Sequence, residues 1–475
     1  MGTPITEAAG SSRGHPPNSR ASRSLDIAFK AVGAVGCLAP LAVLAQLIHR
    51  YGVNLPFSDQ WDLVSLLEKA RTTGVELSDL FNQHLEQRMV FPRMVMLALA
   101  PVTRWNTKVE LWVNLILAVG MFCILLILLL RSLSSLGRWR AVPAVALSLM
   151  IFSPVQWEDW FWGWQISWFL PLLCFLVAAG ILTLWPDRRP AWPALVIATI
   201  AALVGQYSLF SGTLIWLTCM PLVLVREKFR KYWWIWVLIG VASTSLYLYR
   251  YTSPSVMASF RAPIPEILSE PERPVAYILY YLGRPVLDAE PSYFVGALFA
   301  TAFVASAAYV LIRRRSRLVP SMVWISIGAY ALLSSVATML TRLGLGLPFA
   351  GSSRYTTIGI LLMVATTALV SLALLPDAGQ APAPAASLAV ASWLLVAALF
   401  LLDYRSEVES MRLWHGQRLA QKDCVITATS ERDPCLTAVH PVPDRVYRGA
   451  QFLKRVGWAG LRDRPREATS GADAR

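Results

Sequence analysis

Apolar runs of about twenty residues recur along this chain and are separated by short polar segments. A helix rises about 1.5 Å per residue, so such a run crosses the roughly 30 Å hydrocarbon layer of a bilayer. With a mean hydropathy of +0.50 over 475 residues, a soluble protein would need an implausibly large core. The sequence therefore predicts an all-α, polytopic membrane helical bundle of about 11 transmembrane helices, at residues 27–48, 111–130, 141–155, 166–185, 192–210, 212–225, 233–249, 293–312, 319–340, 357–375 and 386–402.

Charged residues between the apolar runs predict how the bundle is oriented. Lys and Arg occur in four alternate connections, at residues 131–140, 187–189, 226–231 and 313–317, whereas the intervening short connections at 153–165 and 206–211 contain none. Cytoplasmic connections have the excess of Lys and Arg, so the amino terminus is expected in the cytoplasm and loop 51–108 on the outer face. The net charge of +14 therefore indicates orientation in a membrane and not nucleic-acid binding.

Three regions are expected along the chain. Residues 1–25 are rich in Gly, Ser, Pro and Arg and predict a disordered cytoplasmic lead. The apolar run that follows is longer than the apolar region of a cleaved signal peptide, which usually has about 7–15 residues, so it is interpreted as an uncleaved anchor. The transmembrane domain is expected over 26–402 and a small periplasmic tail over 403–475. Cys424 and Cys435 lie in that tail and would form a disulfide in an oxidising compartment.

The first outer loop has a dense group of charged residues over 57–93, where amphipathic helices are expected. Asp59 and Asp62 begin an amphipathic stretch there. A carboxylate at the membrane surface could accept a proton from an acceptor hydroxyl, which makes both residues candidate catalytic groups. Both could instead cap a helix and complement its dipole, and that alternative stays open.

A second group in the same loop consists of His84, Glu86 and Arg88. In a helix, His84 and Arg88 would share a face and Glu86 would point elsewhere. A histidine near a membrane interface is often a hydrogen-bonded surface residue, so this alternative also stays open. We predict that the three side chains contribute to substrate binding.

Two further groups lie on later outer connections. Trp157, Glu158 and Asp159 could form an acidic arm in which an indole stacks on a sugar ring, or an interfacial aromatic belt with a solvated tip. Mg²⁺ or Mn²⁺ would suit such carboxylates, but no spacing specifies a metal. Arg354, followed by Tyr355, could bind a phosphate with two parallel hydrogen bonds or extend to lipid headgroups. We predict that these five residues bind substrate.

The architecture resembles the GT-C superfamily of membrane glycosyltransferases, in which an acidic first outer loop follows the first span. The strings FSDQWD, QHLEQRMVFPR, SPVQWEDW and SSRY look similar to this superfamily and to bacterial multi-pass proteins without an established function. In the superfamily the first-loop acid is the catalytic base or binds a substrate, and polyprenyl-phosphate sugars are the donors. Asp59 best matches that acid, with Asp62 second. The Asp-x-x-Asp spacing and the short tail depart from the superfamily pattern.

The resemblance implies a glycosyltransferase of the bacterial inner membrane. It would move a sugar from a polyprenyl-phosphate donor to a lipid or cell-envelope glycan acceptor at the periplasmic face. Two alternatives remain, a flippase or transporter of lipid-linked saccharides and a non-catalytic envelope assembly protein. The expected partners are the lipid bilayer, the lipid-linked sugar and the acceptor, without nucleic acid.

Overall fold

A computed structural model describes residues 19–253, 259–288, 291–377 and 379–461, and these form α-helices and short 3₁₀-helices with no β-strand among them. The helices of the amino-terminal half are α1 (Ser19–Tyr51), α2 (Gln60–Thr72), α3 (Leu77–Phe81), α4 (Val90–Thr103), α5 (Thr107–Ser132), α6 (Ala141–Ile151), α7 (Trp157–Phe161), α8 (Ile166–Leu184), α9 (Trp192–Gln206), α10 (Leu214–Thr218), α11 (Met220–Val225), α12 (Glu227–Arg230) and α13 (Trp233–Leu248). Those that follow are α14 (Ile264–Ser269), α15 (Glu272–Gly283), α16 (Ser292–Arg313), α17 (Leu318–Arg342), α18 (Thr356–Leu374), α19 (Ala383–Leu399), α20 (Tyr404–Thr427) and α21 (Pro443–Val456).

Eight helical segments in the described part of the chain are long and apolar enough to cross a membrane, which confirms the prediction of a multi-pass helical bundle. The three other predicted spans fall on shorter apolar helices. Helix α9 has 15 residues and α13 has 16, while the run at 212–225 is divided between α10 and α11. At about 1.5 Å per residue, a 15-residue helix reaches only about 22 Å.

A close turn joins the fifth and sixth runs. A Cβ atom on Gly212 would lie 2.1 Å from the carbonyl oxygen of Gly205, so only glycine permits this approach. Gln206 is buried beside the turn, where its side-chain oxygen accepts hydrogen bonds from Trp216 and Ser243. The buried amide is therefore satisfied inside the bundle, as a membrane protein requires.

Helix α18 forms the centre of the bundle and is buried along nearly its whole length. Helices α15, α16, α17 and α19 pack around it. Outer helices expose large apolar side chains, such as Val241 on α13 and Phe294 on α16. An apolar exterior of this kind suits lipid, which cannot hydrogen-bond to polar groups.

A second hydrophobic core joins two distant parts of the sequence, residues 52–106 and residues 404–461. We call these two parts together the loop domain. Trp61 and Met96 contribute from the first part, and Val425 and Leu453 from the second. The buried face of α21 packs on α2. The tail predicted at 403–475 is therefore folded onto the first loop as far as residue 461.

The predicted disordered lead, residues 1–25, lies outside the described residues up to residue 18. From Ser19 onward the chain is helical and continues without interruption into the first apolar run. The first span is thus the later part of one long helix.

A candidate active site between the loop domain and the bundle

Asp59 lies at the start of α2 but does not cap that helix. It occupies the N-cap position without a side-chain capping hydrogen bond. One carboxylate oxygen accepts a hydrogen bond from Ser58 Oγ at 3.3 Å, and the other lies 3.7 Å from His84 Nε2. The capping role that the sequence allowed is therefore not the one that Asp59 has.

Asp62 lies in the first turn of α2, on the other side of the same imidazole. Its Oδ2 is 3.5 Å from His84 Nδ1, and its Oδ1 forms an ion pair with Arg445 of α21. The structure thus brings Asp59 and Asp62 together around His84, and a residue from the carboxyl-terminal part of the chain fixes one of them.

A tight turn presents His84 to the two carboxylates. His84 and Gln87 exchange backbone hydrogen bonds of 2.8 Å in both directions, and Leu85 between them has a positive φ of 48°. The imidazole is 12 % exposed and its centroid lies 5.1 Å from the ring of Trp164. His84 therefore belongs to a short turn and not to the helix that the sequence suggested.

Arg354 approaches this cluster from the other side, in a short 3₁₀-helix that precedes α18. Its guanidinium lies over aromatic rings, 5.0 Å from the centroid of Phe349 and 5.8 Å from that of Trp162. No ion pair of Arg354 within 4.0 Å occurs among the described residues. Aromatic faces hold a guanidinium while leaving N–H groups available to another acceptor.

Electrostatics connect the two sides of the site. Burial alone raises the pKa of Asp59, but the His84 imidazole and the charge of Arg354 outweigh burial and lower that pKa below its ordinary value of 3.8. Asp59 is therefore ionised at neutral pH. Its carboxylate can accept a hydrogen bond from a substrate or hold a cation.

The acids of α7 join the start of α18. Glu158 Oε2 accepts a hydrogen bond of 3.0 Å from the backbone N–H of Arg354, and Asp159 Oδ2 accepts one of 2.6 Å from the Thr357 hydroxyl. Asp159 is fully buried, and its Oδ1 has no hydrogen-bond partner in the described chain. Glu158 and Asp159 thus hold the segment that presents Arg354.

The two aromatic candidates pack within the protein. Trp157 lies 5.3 Å, centroid to centroid, from Trp414 of α20. Tyr355 stacks on Tyr281 at 5.1 Å and is 5 % exposed. The Tyr355 ring also lies beneath Arg354, with 5.4 Å between its centroid and the guanidinium carbon.

Glu86 and Arg88 are engaged elsewhere. Glu86 is buried and forms an ion pair with Arg342 at the end of α17. The guanidinium of Arg88 donates hydrogen bonds of 2.7 Å to the carbonyl oxygens of Phe81, Tyr247 and Tyr249. These contacts attach the loop to the ends of α13 and α17, and the structure does not bring the two side chains into the Asp59 cluster.

The carboxyl-terminal segment covers the site. Cys424 and Cys435 form a disulfide that connects the end of α20 to the next 3₁₀-helix. Arg418 of α20 donates hydrogen bonds of 2.8 Å to the carbonyl oxygens of Leu55 and Pro56, directly before the Asp59 turn. This segment therefore fixes the backbone from which Asp59 projects.

Two polar residues beside the site, Glu110 and Gln60, were not identified from the sequence. Glu110 is 1 % exposed and accepts hydrogen bonds from Trp105 Nε1, at 2.9 Å, and from the side chain of Gln60. An acid three residues after the first position of an apolar helix is usually explained by the helix dipole, so its sequence gave no separate signal. Gln60 lies between the two candidate aspartates, and this position was the available indication that its side chain belongs to the site.

A cavity of about 690 Å³ lies elsewhere, lined in part by the ends of α5 and α8. Two of its cationic side chains already have acceptors. Arg226 donates to the carbonyl oxygens of Leu182 and Thr183, and Lys228 to those of Trp185 and Pro186. None of the predicted site residues lines this cavity, so we place the candidate site at the Asp59 cluster.

Comparisons with protein-family models, with curated proteins and with solved structures found no match to this chain. The geometry of the site is therefore the basis for assigning a function.

Proposed function

We propose that this chain is a GT-C-like glycosyltransferase of the bacterial inner membrane. The observation that carries the proposal is the meeting of Asp59 and His84, from two turns of the first loop, with Arg354 from the segment before α18, where the loop domain contacts the bundle. A carboxylate and an arginine at such a boundary suit a reaction between a membrane-bound donor and an acceptor from the aqueous side.

In the proposed reaction, an acceptor hydroxyl attacks the anomeric carbon of a sugar on a polyprenyl phosphate. The bond from that carbon to the phosphate oxygen breaks, and polyprenyl phosphate leaves with the electron pair. Asp59 takes the hydroxyl proton, and Arg354 binds the phosphate as its negative charge increases. Glu158 and Asp159 position Arg354 through the contacts described above.

The low pKa of Asp59 is compatible with this role. A carboxylate with a lowered pKa is a weak base, so it would accept the proton late, when the hydroxyl has become acidic through bond formation. A phosphate is a good leaving group, which reduces the need for a strong base. Asp59 would therefore mainly orient the hydroxyl by accepting its hydrogen bond.

The proposal includes an orientation of the chain. With the amino terminus in the cytoplasm and about 11 spans, including the short helices α9, α13 and the α10–α11 pair, the loop domain lies on the periplasmic face. The disulfide between Cys424 and Cys435 supports this side, because disulfides persist in oxidising compartments. The donor and the acceptor, a lipid or envelope glycan, would meet beneath the loop domain.

The test uses cells that lack the protein, complemented at equal expression with wild type, Asp59→Asn or Asp79→Asn. Asp79 is a matched control because it lies in the same loop but pairs with Lys69, away from the cluster. The polyprenyl-phosphate-sugar pool and the envelope glycans are then measured. We expect Asp59→Asn to accumulate donor and lack a glycan residue, as the null strain does, and Asp79→Asn to match wild type.

Full restoration of the glycan by Asp59→Asn would exclude the proposed catalytic role. Donor accumulation confined to the cytoplasmic leaflet in the null strain would favour the flippase alternative. Normal donor levels together with a misassembled envelope would favour the assembly alternative.

A further inference from the structure

The Asp59, Asp62 and His84 side chains form a cluster whose geometry resembles a metal-ion site. One potential ligand atom from each residue lies within 4.8 Å of the other two. The contacts of the imidazole nitrogens with the carboxylates, 3.7 Å and 3.5 Å, are longer than normal hydrogen bonds. Atoms that share an ion at bond lengths of about 2.1 Å lie about 3 Å apart, so the three ligand atoms would have to move closer together to coordinate one ion.

A second observation concerns the imidazole itself. His84 Nε2 is buried and has no hydrogen-bond partner among the described residues. Buried polar atoms are nearly always paired, so an unpaired nitrogen that faces a carboxylate requires an explanation. A cation between His84 Nε2 and the Asp59 carboxylate would give both groups a partner.

The other side of the ring has the arrangement that metal-binding histidines commonly have. Asp62 Oδ2 faces Nδ1, and the ion pair with Arg445 holds the carboxylate in place. A carboxylate at one ring nitrogen fixes the orientation of the imidazole and directs its other nitrogen toward a metal. A carboxylate oxygen of Asp62 also lies within 4.8 Å of the other two ligand atoms, so Asp62 can reach the ion itself.

We infer that Asp59, Asp62 and His84 bind one divalent transition-metal ion, Mn²⁺ or Zn²⁺. Carboxylates alone would favour Mg²⁺ or Ca²⁺, but an imidazole ligand shifts the preference toward first-row transition metals. The local charge is compatible, because Asp59, Asp62 and Glu158 outnumber the nearby cations Arg354 and Arg445.

The use of the ion, unlike its binding, rests on the proposed function. A divalent ion beside Arg354 would neutralise part of the negative charge of the donor phosphate. Coordination positions that the protein leaves open on the ion would be available to the phosphate oxygens. Binding of the ion alone requires no donor or acceptor. Failure of the sugar-transfer proposal would therefore leave the metal site intact, and the two can be tested separately.

The experiment uses the full chain in lipid nanodiscs, stripped of metal and titrated with Mn²⁺ or Zn²⁺ alone. Mn²⁺ binding is followed by electron paramagnetic resonance, and Zn²⁺ by equilibrium dialysis and elemental analysis. We expect one ion per chain and Zn²⁺ tighter than Mn²⁺, following the usual order of affinities. Asp59→Asn and His84→Gln should each weaken binding by about 10-fold or more, whereas Asp79→Asn should leave it unchanged.

A spin-echo measurement of bound Mn²⁺ identifies the nitrogen ligand directly. Wild type should show coupling to an imidazole nitrogen, and His84→Gln should lose it. His440→Gln is the matched control, because the charge of Asp59 also acts on His440, whose Nδ1 already accepts a hydrogen bond from the Val442 backbone. Thermal unfolding without metal shows whether each variant is folded.

The inference is overturned by substoichiometric binding in folded wild type. It is also overturned if the nitrogen coupling persists in folded His84→Gln, or if Asp79→Asn weakens binding as much as Asp59→Asn does. If His84→Gln does not fold, loss of binding in folded Asp59→Asn still supports the site, and full binding by that variant excludes it.

Discussion

Two charged clusters of the first loop have similar composition but different contacts. Around Arg88 and Arg93, every described guanidinium contact is with a backbone carbonyl oxygen, including those of Phe81 and Leu80. Around Asp59, by contrast, the imidazole and carboxylates lie 3.5–3.7 Å apart and the arginine lies over aromatic rings. The first cluster holds the loop to the bundle, and the second retains groups that a ligand could engage.

The comparison shows why the type of a charged residue is a weak guide to its role. An arginine that already donates to carbonyl oxygens would have to give up some of those hydrogen bonds to turn its guanidinium toward a phosphate. Arg354 interacts with the Tyr355 side chain by a hydrogen bond but donates to no carbonyl oxygen among the described residues, so it remains the better candidate. Each prediction below tests one side of this contrast.

The largest expected effect is the loss of turnover caused by Asp59→Asn. Removing a general base typically lowers the rate by about 10²- to 10⁴-fold, and the loop should stay folded because asparagine has the same shape. Glu86→Gln, which breaks the buried pair with Arg342, should instead lower stability while folded protein retains turnover. The measurement is the single-turnover rate per folded molecule. Equal rates for the two variants would show that the Asp59 cluster is no more important for turnover than the Glu86–Arg342 pair.

Much of the bundle could be predicted from the sequence because apolar runs of membrane length have few alternative structures. The short helix α9 and the divided run that follows it were harder to predict, because they meet at the close turn of Gly205 and Gly212. The fold of the tail could not be predicted, because it depends on packing against a loop more than 300 residues away, as the Asp62–Arg445 pair illustrates.

The candidate site was predicted only in part, for the same reason. Asp59 was selected by its position after the first span, and the structure adds the contacts that distinguish it from a helix cap. The roles of Glu86 and Arg88 depend on partners at Arg342 and Tyr247, which no local pattern identifies. Long-range pairing of charges is therefore the information that a single sequence lacked.

Arg354→Lys should have the next largest effect. Lysine keeps the charge but not the planar fork, so the KM for the donor should rise by about 10- to 100-fold, as expected from the loss of charge-assisted hydrogen bonds of about 1.5–3 kcal/mol. Unfolding midpoints should change little. An unchanged KM would remove Arg354 from the phosphate-binding role.

Arg88→Ala should lower the stability of the loop domain and leave the KM for the donor unchanged, the opposite of the effect expected for Arg354→Lys. Three carbonyl oxygens would lose their donor, and because the side chain is only partly buried we expect a loss of about 1–2 kcal/mol in the stability of the loop domain. Hydrogen exchange of the loop measures this loss. Arg88→Lys should recover only part of it, because one ammonium cannot reach three carbonyl oxygens. A raised KM for the donor without a change in exchange would show that Arg88 binds substrate after all.

The smallest expected effect is a difference in pH dependence within the loop domain. Burial lowers the pKa of His440 below 6.5, more than the charge of Asp59 raises it. Between the folded and unfolded pKa values the unfolded state binds more protons, so stability should fall as the pH drops below 6.5. The pKa of Asp59 is lowered from 3.8, so its contribution should be lost only as the pH falls below that value.

Denaturant unfolding between pH 7.5 and pH 3 separates the two contributions. His440→Gln should flatten the decline that begins near pH 6.5. In the His440→Gln background, where the charge of Asp59 no longer acts on His440, Asp59→Asn should alter only the acidic end, below about pH 4. If Asp59→Asn changed the slope near neutral pH instead, the carboxylate would be protonated there. The Asp59 cluster would then lack the ionised carboxylate that distinguishes it from the cluster around Arg88 and Arg93.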